Sequence, residues 1–291
     1  MKKRAWLGVA AAVLTLMVMT ACGSASGSST THIKIGVSGS DDKYWKVLSE
    51  KAKAKNIDIE LISFSDYTLP NKALANGEVD LNSFQHLAFL SQFNVENNTD
   101  LVPVGATVIA PMAVYSNHYK SVEEIPDGGK IALPDDPSNQ GRALKVLQAA
   151  GLIKLKDGTG LYPTPDDITE NPKKLEIVPV VAQQTPRVLP DVAASVINSG
   201  VASDANLKLE EAIFKDDPAS EEAKPYINVF AARAKDKDNE AFKTIVELYH
   251  DPDVEAAVKE DSKGANVVVD SSPAELQATL DKLEENVKSG H

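Results

Sequence analysis

The chain has 291 residues, a formal charge of −12 and a single cysteine. The acidic balance excludes nucleic acid as a partner, because its phosphates would repel this surface, and one cysteine excludes an intrachain disulfide. Aromatic residues make up only 5% of the chain, so each ring is a candidate for a specific task.

Met1-Lys2-Lys3-Arg4 leads into an apolar run from Ala5 to Met19, then Thr20-Ala21-Cys22. A basic start, a short apolar stretch and small residues before a cut form a secretory signal. The run is shorter than the about 20 residues that span a bilayer, so residues 1–21 are predicted to be removed. Losing Lys2, Lys3 and Arg4 takes the formal charge from −12 to −15. The Ser/Gly/Ala stretch that follows reads as a flexible tether over residues 22–32. A cysteine at the cut resembles the lipobox of bacterial lipoproteins, which implies that the Cys22 thiol is acylated and that lipid holds the mature chain on the outer face of a membrane. The alternative is a buried thiol in a short N-terminal helix.

About 260 residues follow, enough for one large or two modest domains. Ile33, Ile35 and Val37 alternate with polar residues as a first strand, and Trp45 to Lys55 is amphipathic at helical spacing. Ile57 to Ile62 is a second strand. Asn71 to Asn76 is a short helix between Pro70 and a Gly77 stop, and Gln85 to Asn97 is another helix. Leu101 to Tyr115 is a long strand-like run. Lys130 to Pro134 is a strand, Asn139 opens a helix to Ala150, and Gly151 ends it. Strands are predicted over 175–181, 193–197 and 227–232, and helices over 240–250, 253–260 and 273–287. The alternation argues for α/β layers with mostly parallel sheets. The tracts near Ala110 and Pro225 are natural crossings between two lobes.

Two segments carry candidate chemistry. In Asp66 to Leu90 stand four rings, Tyr67, Phe84, His86 and Phe89. Phe84 and His86 are two apart near a strand end, hence on one face, and Phe89 is one helical turn beyond His86. The group reads either as an apolar slot with one polar handle or as core aromatics with a satisfied histidine. His32, His86, His118, His250 and His291 show no paired metal spacing. In Ile131 to Leu155, Arg142 sits near a helix start, where it can hold a carboxylate or pair with Asp135 or Asp136. Asn198 and Asn228 lie beside strand ends and offer donor and acceptor together, or serve as turn residues.

Together these stretches resemble the methionine-binding lipoprotein family, the substrate-binding subunits of methionine-uptake ABC transporters. The likeness runs through Asp66-Tyr67-Thr68-Leu69-Pro70-Asn71, Asn82-Ser83-Phe84-Gln85-His86, Asn139-Gln140-Gly141-Arg142-Ala143-Leu144, Val196-Ile197-Asn198 and Tyr226-Ile227-Asn228. It implies an α/β, two-lobed periplasmic-binding-protein-like fold of type 2 with a ligand cleft between the lobes. Lobe 1 is then residues 33–110 with 227–291, and lobe 2 is 111–226. It implies that Arg142 holds an amino-acid carboxylate, that Asn198 and Asn228 contact the polar end, and that Tyr67, Phe84, His86 and Phe89 surround a thioether. The expected ligand is L-methionine; D-methionine, a methionine-containing dipeptide or another small amino acid is the alternative. The expected partners are an ABC permease with its cytoplasmic ATPase and, through lipid on Cys22, the membrane. A monomer without metal, cofactor or catalysis completes the expectation. Phe89 departs from the family, which has Tyr there, and removes one hydroxyl.

Overall fold

The computed structural model of the chain describes residues 30–290. The signal, Cys22 and the tether as far as Ser29 lie outside the described residues. The chain begins with β1 (Thr31–Val37), α1 (Lys43–Lys53), β2 (Ile57–Ser63), α2 (Pro70–Asn76), β3 (Leu81–His86), α3 (Leu87–Asn97) and β4 (Leu101–Ile109). In α1, Trp45, Leu48 and Ala52 are buried, three and four residues apart, and so form one helical stripe. Pro70 opens α2, and Gly77 closes it at φ +79°, a left-handed turn that a Cβ would oppose.

The long apolar run after Leu101 is two strands in two sheets. β4 ends at Ile109 and β5 (Met112–Tyr115) begins beyond Ala110-Pro111. Pro111 has no N–H to give a ladder, which marks the break. There follow β6 (Lys130–Pro134), α4 (Pro137–Ala149), β7 (Lys154–Leu155), β8 (Ile168–Glu170), β9 (Glu176–Val180), β10 (Ala194–Asn198), α5 (Ser199–Asp204) and β11 (Phe214–Lys215). The chain closes with β12 (Ile227–Arg233), α6 (Glu240–Tyr249), α7 (Pro252–Asp261), β13 (Val267–Val268) and α8 (Pro273–Ser289).

One six-stranded sheet has the order β13-β4-β12-β3-β1-β2, one five-stranded sheet the order β11-β5-β10-β6-β9, and β7 pairs with β8. The sheets are mixed rather than mostly parallel. β1 runs parallel to β2 and β3, and β6 parallel to β9 and β10. β5 and β12, the first strands after each passage between sheets, pair antiparallel with their neighbours. A strand arriving from the other sheet has no crossover helix to turn it parallel.

Both faces of each sheet are covered. Trp45, Leu48, Phe242 and Ile245 pack on one face of the first sheet, and Leu87, Leu90, Leu276 and Leu280 on the other. In the second sheet Leu144 and Leu147 fill one side and Ile197 and Val201 the opposite one. Among the described residues no helix is long and apolar enough to cross a membrane.

Candidate functional site

Three strand ends and the first turns of α4 converge on a cleft of about 180 Å³. All seven side chains singled out from the sequence, Tyr67, Phe84, His86, Phe89, Arg142, Asn198 and Asn228, line it.

The ring wall depends on an irregularity in β3. Gln85 pairs with Val229 and Ser83 with Phe230, which leaves Phe84 opposite no residue of β12. Such a bulge breaks the period of two. Asn82 and Gln85, three apart, therefore meet: Gln85 Nε2 donates to Asn82 Oδ1 at 2.9 Å, and both side chains bond to buried Asn71. Ser83, Phe84, Gln85 and His86 all line the cleft. Phe84 lies 5.7 Å from Phe89 and 5.9 Å from Tyr67, ring centre to ring centre, and Phe89 lies 6.4 Å from His86. These are edge-on or tilted contacts of the favoured kind. Tyr67, which follows β2 of the first sheet, also packs on the Ile197–Val201 cluster of the second, so it bridges the two walls.

His86 is the N-cap of α3. Its Nδ1 accepts the Phe89 N–H at 3.1 Å, so the ring hydrogen sits on Nε2, which faces Asn139 Oδ1 at 3.2 Å. Burial, then the nearby Arg142 charge, lowers the ring to about 3. His86 is thus a neutral donor at ordinary pH.

At the other end the polar groups gather. Helix α4 starts at Pro137, two residues earlier than the sequence suggested, and Asp136 caps it by accepting the Asn139 N–H at 3.0 Å. The helix N-terminus is therefore occupied by the chain's own carboxylate. Burial raises Asp136, while bonds from Asn139 and Ser138 pull it down. Asn139 and Arg142, three apart, lie on one face of α4 and both line the cleft.

Arg142 pairs with neither Asp135 nor Asp136. Its Nε and Nη2 meet Asp216 Oδ2 at 2.9 and 2.8 Å, and Nη2 also donates to the Ala110 carbonyl at 2.8 Å. The guanidinium lies over the Tyr226 ring, 4.4 Å from its centre, a cation–π contact. Only Nη1 has no partner among the described residues. Asn198 donates Nδ2 to Asn139 at 2.6 Å, and its Oδ1 is buried without a partner. Asn228 stands opposite His86 in the sheet and donates Nδ2 to the Val108 carbonyl at 3.2 Å.

The cleft continues to a carboxylate-rich end lined by Asp42, Asp204 and Asp261. A Cβ on Gly39 would stand 3.6 Å from Asp42 Oδ2 and 3.7 Å from Asp204 Oδ1. Asp42 is the N-cap of α1 and Asp204 ends α5, so these carboxyl groups face one another from helices that follow strands of different sheets. Burial, then Asp261, Asp204 and Asp41, raise Asp42 to about 6.

Three residues of this site are not marked as such by the sequence. Asn139 reads there only as a helix opener. Tyr226 sits in a stretch that carries the family likeness, with no signal of a role of its own. Asp216 carries no local signal: it is 74 residues from Arg142.

The NlpA lipoprotein family matches residues 33–269. The D-methionine-binding lipoprotein MetQ of Salmonella typhimurium is 43% identical over 260 residues, which cover 87% of this chain and 94% of the relative. Protein PG110 from Staphylococcus aureus superposes with a TM-score of 0.84 at 46% identity, covering 86% of this chain and 99% of that one. A nutrient binding protein from Burkholderia cenocepacia bound to methionine gives 0.77 at 43% identity, with 81% and 99% covered. Mixed sheets flanked by helices and a cleft between them are the two-lobed α/β fold of periplasmic binding proteins. On the extent of these matches, the chain belongs to the NlpA lipoprotein family.

Proposed function

We propose that this protein is a lipid-anchored, extracytoplasmic receptor that captures methionine in the cleft and hands it to an ABC importer. One observation carries the reading. The cleft has, among the described residues, an unpartnered guanidinium nitrogen on Arg142 and an unpartnered buried oxygen on Asn198, with a wall of rings beside them. A zwitterion needs both an anion donor and a cation acceptor to be buried without heavy cost. A thioether gains roughly 0.3–1.5 kcal/mol against an aromatic edge. The names of the similar proteins point to the same ligand.

In this receptor Arg142 would hold the carboxylate, Asn198 and Asn228 the polar end, and Tyr67, Phe84, His86 and Phe89 the side chain. Residues 33–110 with 227–291 would form one lobe and 111–226 the other, moving about the two passages near Ala110 and Pro225. The acyl group would sit on Cys22, and the protein would be a monomeric carrier rather than an enzyme.

The test is calorimetric titration of protein stripped of ligand by unfolding and refolding, using L-methionine, D-methionine and glycyl-methionine. L-methionine is expected to bind most tightly. A stronger response to another of the three moves the assignment to that compound. No heat with any of them up to about 1 mM, the weak end of specific recognition, overturns the function.

A further inference from the structure

Beneath the ligand-facing groups lies a residue that sets their direction. Asn139 is 2% exposed. Its Nδ2 donates to both carboxylate oxygens of Asp136, at 3.0 and 3.1 Å. The Asp136 oxygens also accept from Ser138 Oγ and from the Asn139 N–H, so this contact decides which end of the Asn139 amide is nitrogen. The amide oxygen is thereby turned to the opposite side, where it receives Asn198 Nδ2 at 2.6 Å and faces His86 Nε2 at 3.2 Å. With the hydrogen of His86 on Nε2, both neighbours are donors, and the one oxygen serves them together.

The consequence falls on Asn198. Its nitrogen is committed to Asn139, so its oxygen cannot exchange places with it: a flipped amide would set two oxygens against each other. That oxygen is buried and without a donor, on a residue that lines the cleft. A buried acceptor left unpaired is costly, and a donor on the ligand relieves it; on an amino acid that donor is the protonated amine. Hydrogen bonds in series also polarise one another, so the Asp136 contact strengthens the bond from Asn198 to Asn139.

We propose that Asn139 is the positioning residue for ammonium recognition: held by Asp136, it locks the Asn198 amide with its oxygen toward the ligand and makes the cleft demand a protonated amine. This rests on the reading of the cleft as an amino-acid site. It adds a source of selectivity that neither Arg142 nor the rings supply, because they read only the carboxylate and the tail.

The experiment compares two ligands that differ only in the amine, L-methionine and 4-(methylthio)butanoate, by calorimetry on the wild type, Asn139→Ala and Asp136→Asn. Wild type should prefer methionine by about 100-fold or more, as sites built around a polar group do. In Asn139→Ala methionine should weaken more than about tenfold while the amine-free compound moves less than about threefold, so the preference collapses. Asp136→Asn keeps an oxygen to cap α4 but no longer dictates the orientation of Asn139. It should lose part of the preference, and it carries the test if the alanine variant fails to fold by thermal melting. Equal weakening of both ligands, or an unchanged preference, overturns the assignment of Asn139 while leaving the receptor reading intact. A wild type that binds neither compound removes the receptor reading and this inference with it.

Discussion

Arg142 and Asp216 form a lateral ion pair in which two guanidinium nitrogens share one carboxylate oxygen, Oδ2, at 2.9 and 2.8 Å. The other oxygen of Asp216 accepts the Met112 N–H at 2.8 Å, which pins the carboxylate to β5. With the Ala110 carbonyl and the Tyr226 ring on its other sides, the guanidinium is held in one pose. Arg142→Ala should weaken methionine binding by at least about 100-fold, since it leaves a buried carboxylate without its charged partner. Arg142→Lys should recover little, because an ammonium cannot serve Asp216, Ala110 and a ligand from one planar fork. Titration of both variants checks this, and a loss below tenfold for the alanine variant would sink the assigned role.

The ring wall should be read by the tail of the ligand. Phe84→Ala removes a half-buried ring in contact with Tyr67 and Phe89. Methionine affinity should fall by about 1.5–3 kcal/mol, the worth of burying such a side chain, with little change for alanine as a competing ligand. Competition calorimetry distinguishes this from a general loss of the cleft, which would weaken both.

Gly141 separates helix propensity from packing. An alanine there would gain about 1 kcal/mol as a helix former. Its Cβ, however, would stand 2.6 Å from the Leu161 carbonyl oxygen and 3.0 Å from the Tyr162 Cα. Those are backbone atoms that cannot swing aside, so overpacking at about 1–3 kcal/mol should win. Gly141→Ala is expected to lower the urea midpoint. A midpoint above that of the wild type would show that residues 161–163 yield easily.

Stability should depend on pH through two groups of opposite sign. His86 falls from 6.5 to about 3 on folding. Below 6.5 the unfolded chain takes a proton that the folded site refuses, so stability declines as pH drops toward 3. Asp42 rises from 3.8 to about 6. Across that window the folded protein keeps a proton the unfolded chain has lost, so stability declines as pH rises, and the cost is complete above 6. Asp42→Asn should therefore melt higher than the wild type at about pH 7.5 and match it near pH 4. Thermal melts across the range check the crossover, and a constant offset at every pH contradicts it.

Anchoring should separate from binding. Cys22→Ser is expected to move the protein from the membrane fraction to the soluble one with its methionine affinity unchanged, because the acyl group proposed on Cys22, and not the cleft, would supply the attachment. Membrane retention of this variant would remove the lipidation site.

The seven cleft residues were legible in the sequence because they sit in long local patterns, among them Phe84 and His86 on β3, Asn198 at the end of β10 and Asn228 near the start of β12. What holds them was not. Asp216 reaches Arg142 from 74 residues away, and nothing in Phe214-Lys215-Asp216-Asp217 distinguishes it from a solvated acidic turn. The Phe84 bulge is a register property of two strands together, invisible in either alone. The parallel bias was wrong for a related reason: the direction of β5 and β12 follows from the passages between sheets, not from their own alternation. Helix borders were close, and α4 was misplaced because the true cap, Asp136, stands before a proline that reads as a break but serves as the first helical residue.

The position of β12 between β3 and β4 has a bearing on how the chain matures. A nascent polypeptide emerging in order can complete the whole five-stranded sheet while the six-stranded one still lacks its central member. Until Ile227–Arg233 arrives, β3 and β4 each offer a bare edge, the kind that invites pairing between chains. Truncation ahead of Ile227 should thus yield aggregation rather than a smaller soluble fragment, and holdase chaperones should matter most during that interval of synthesis.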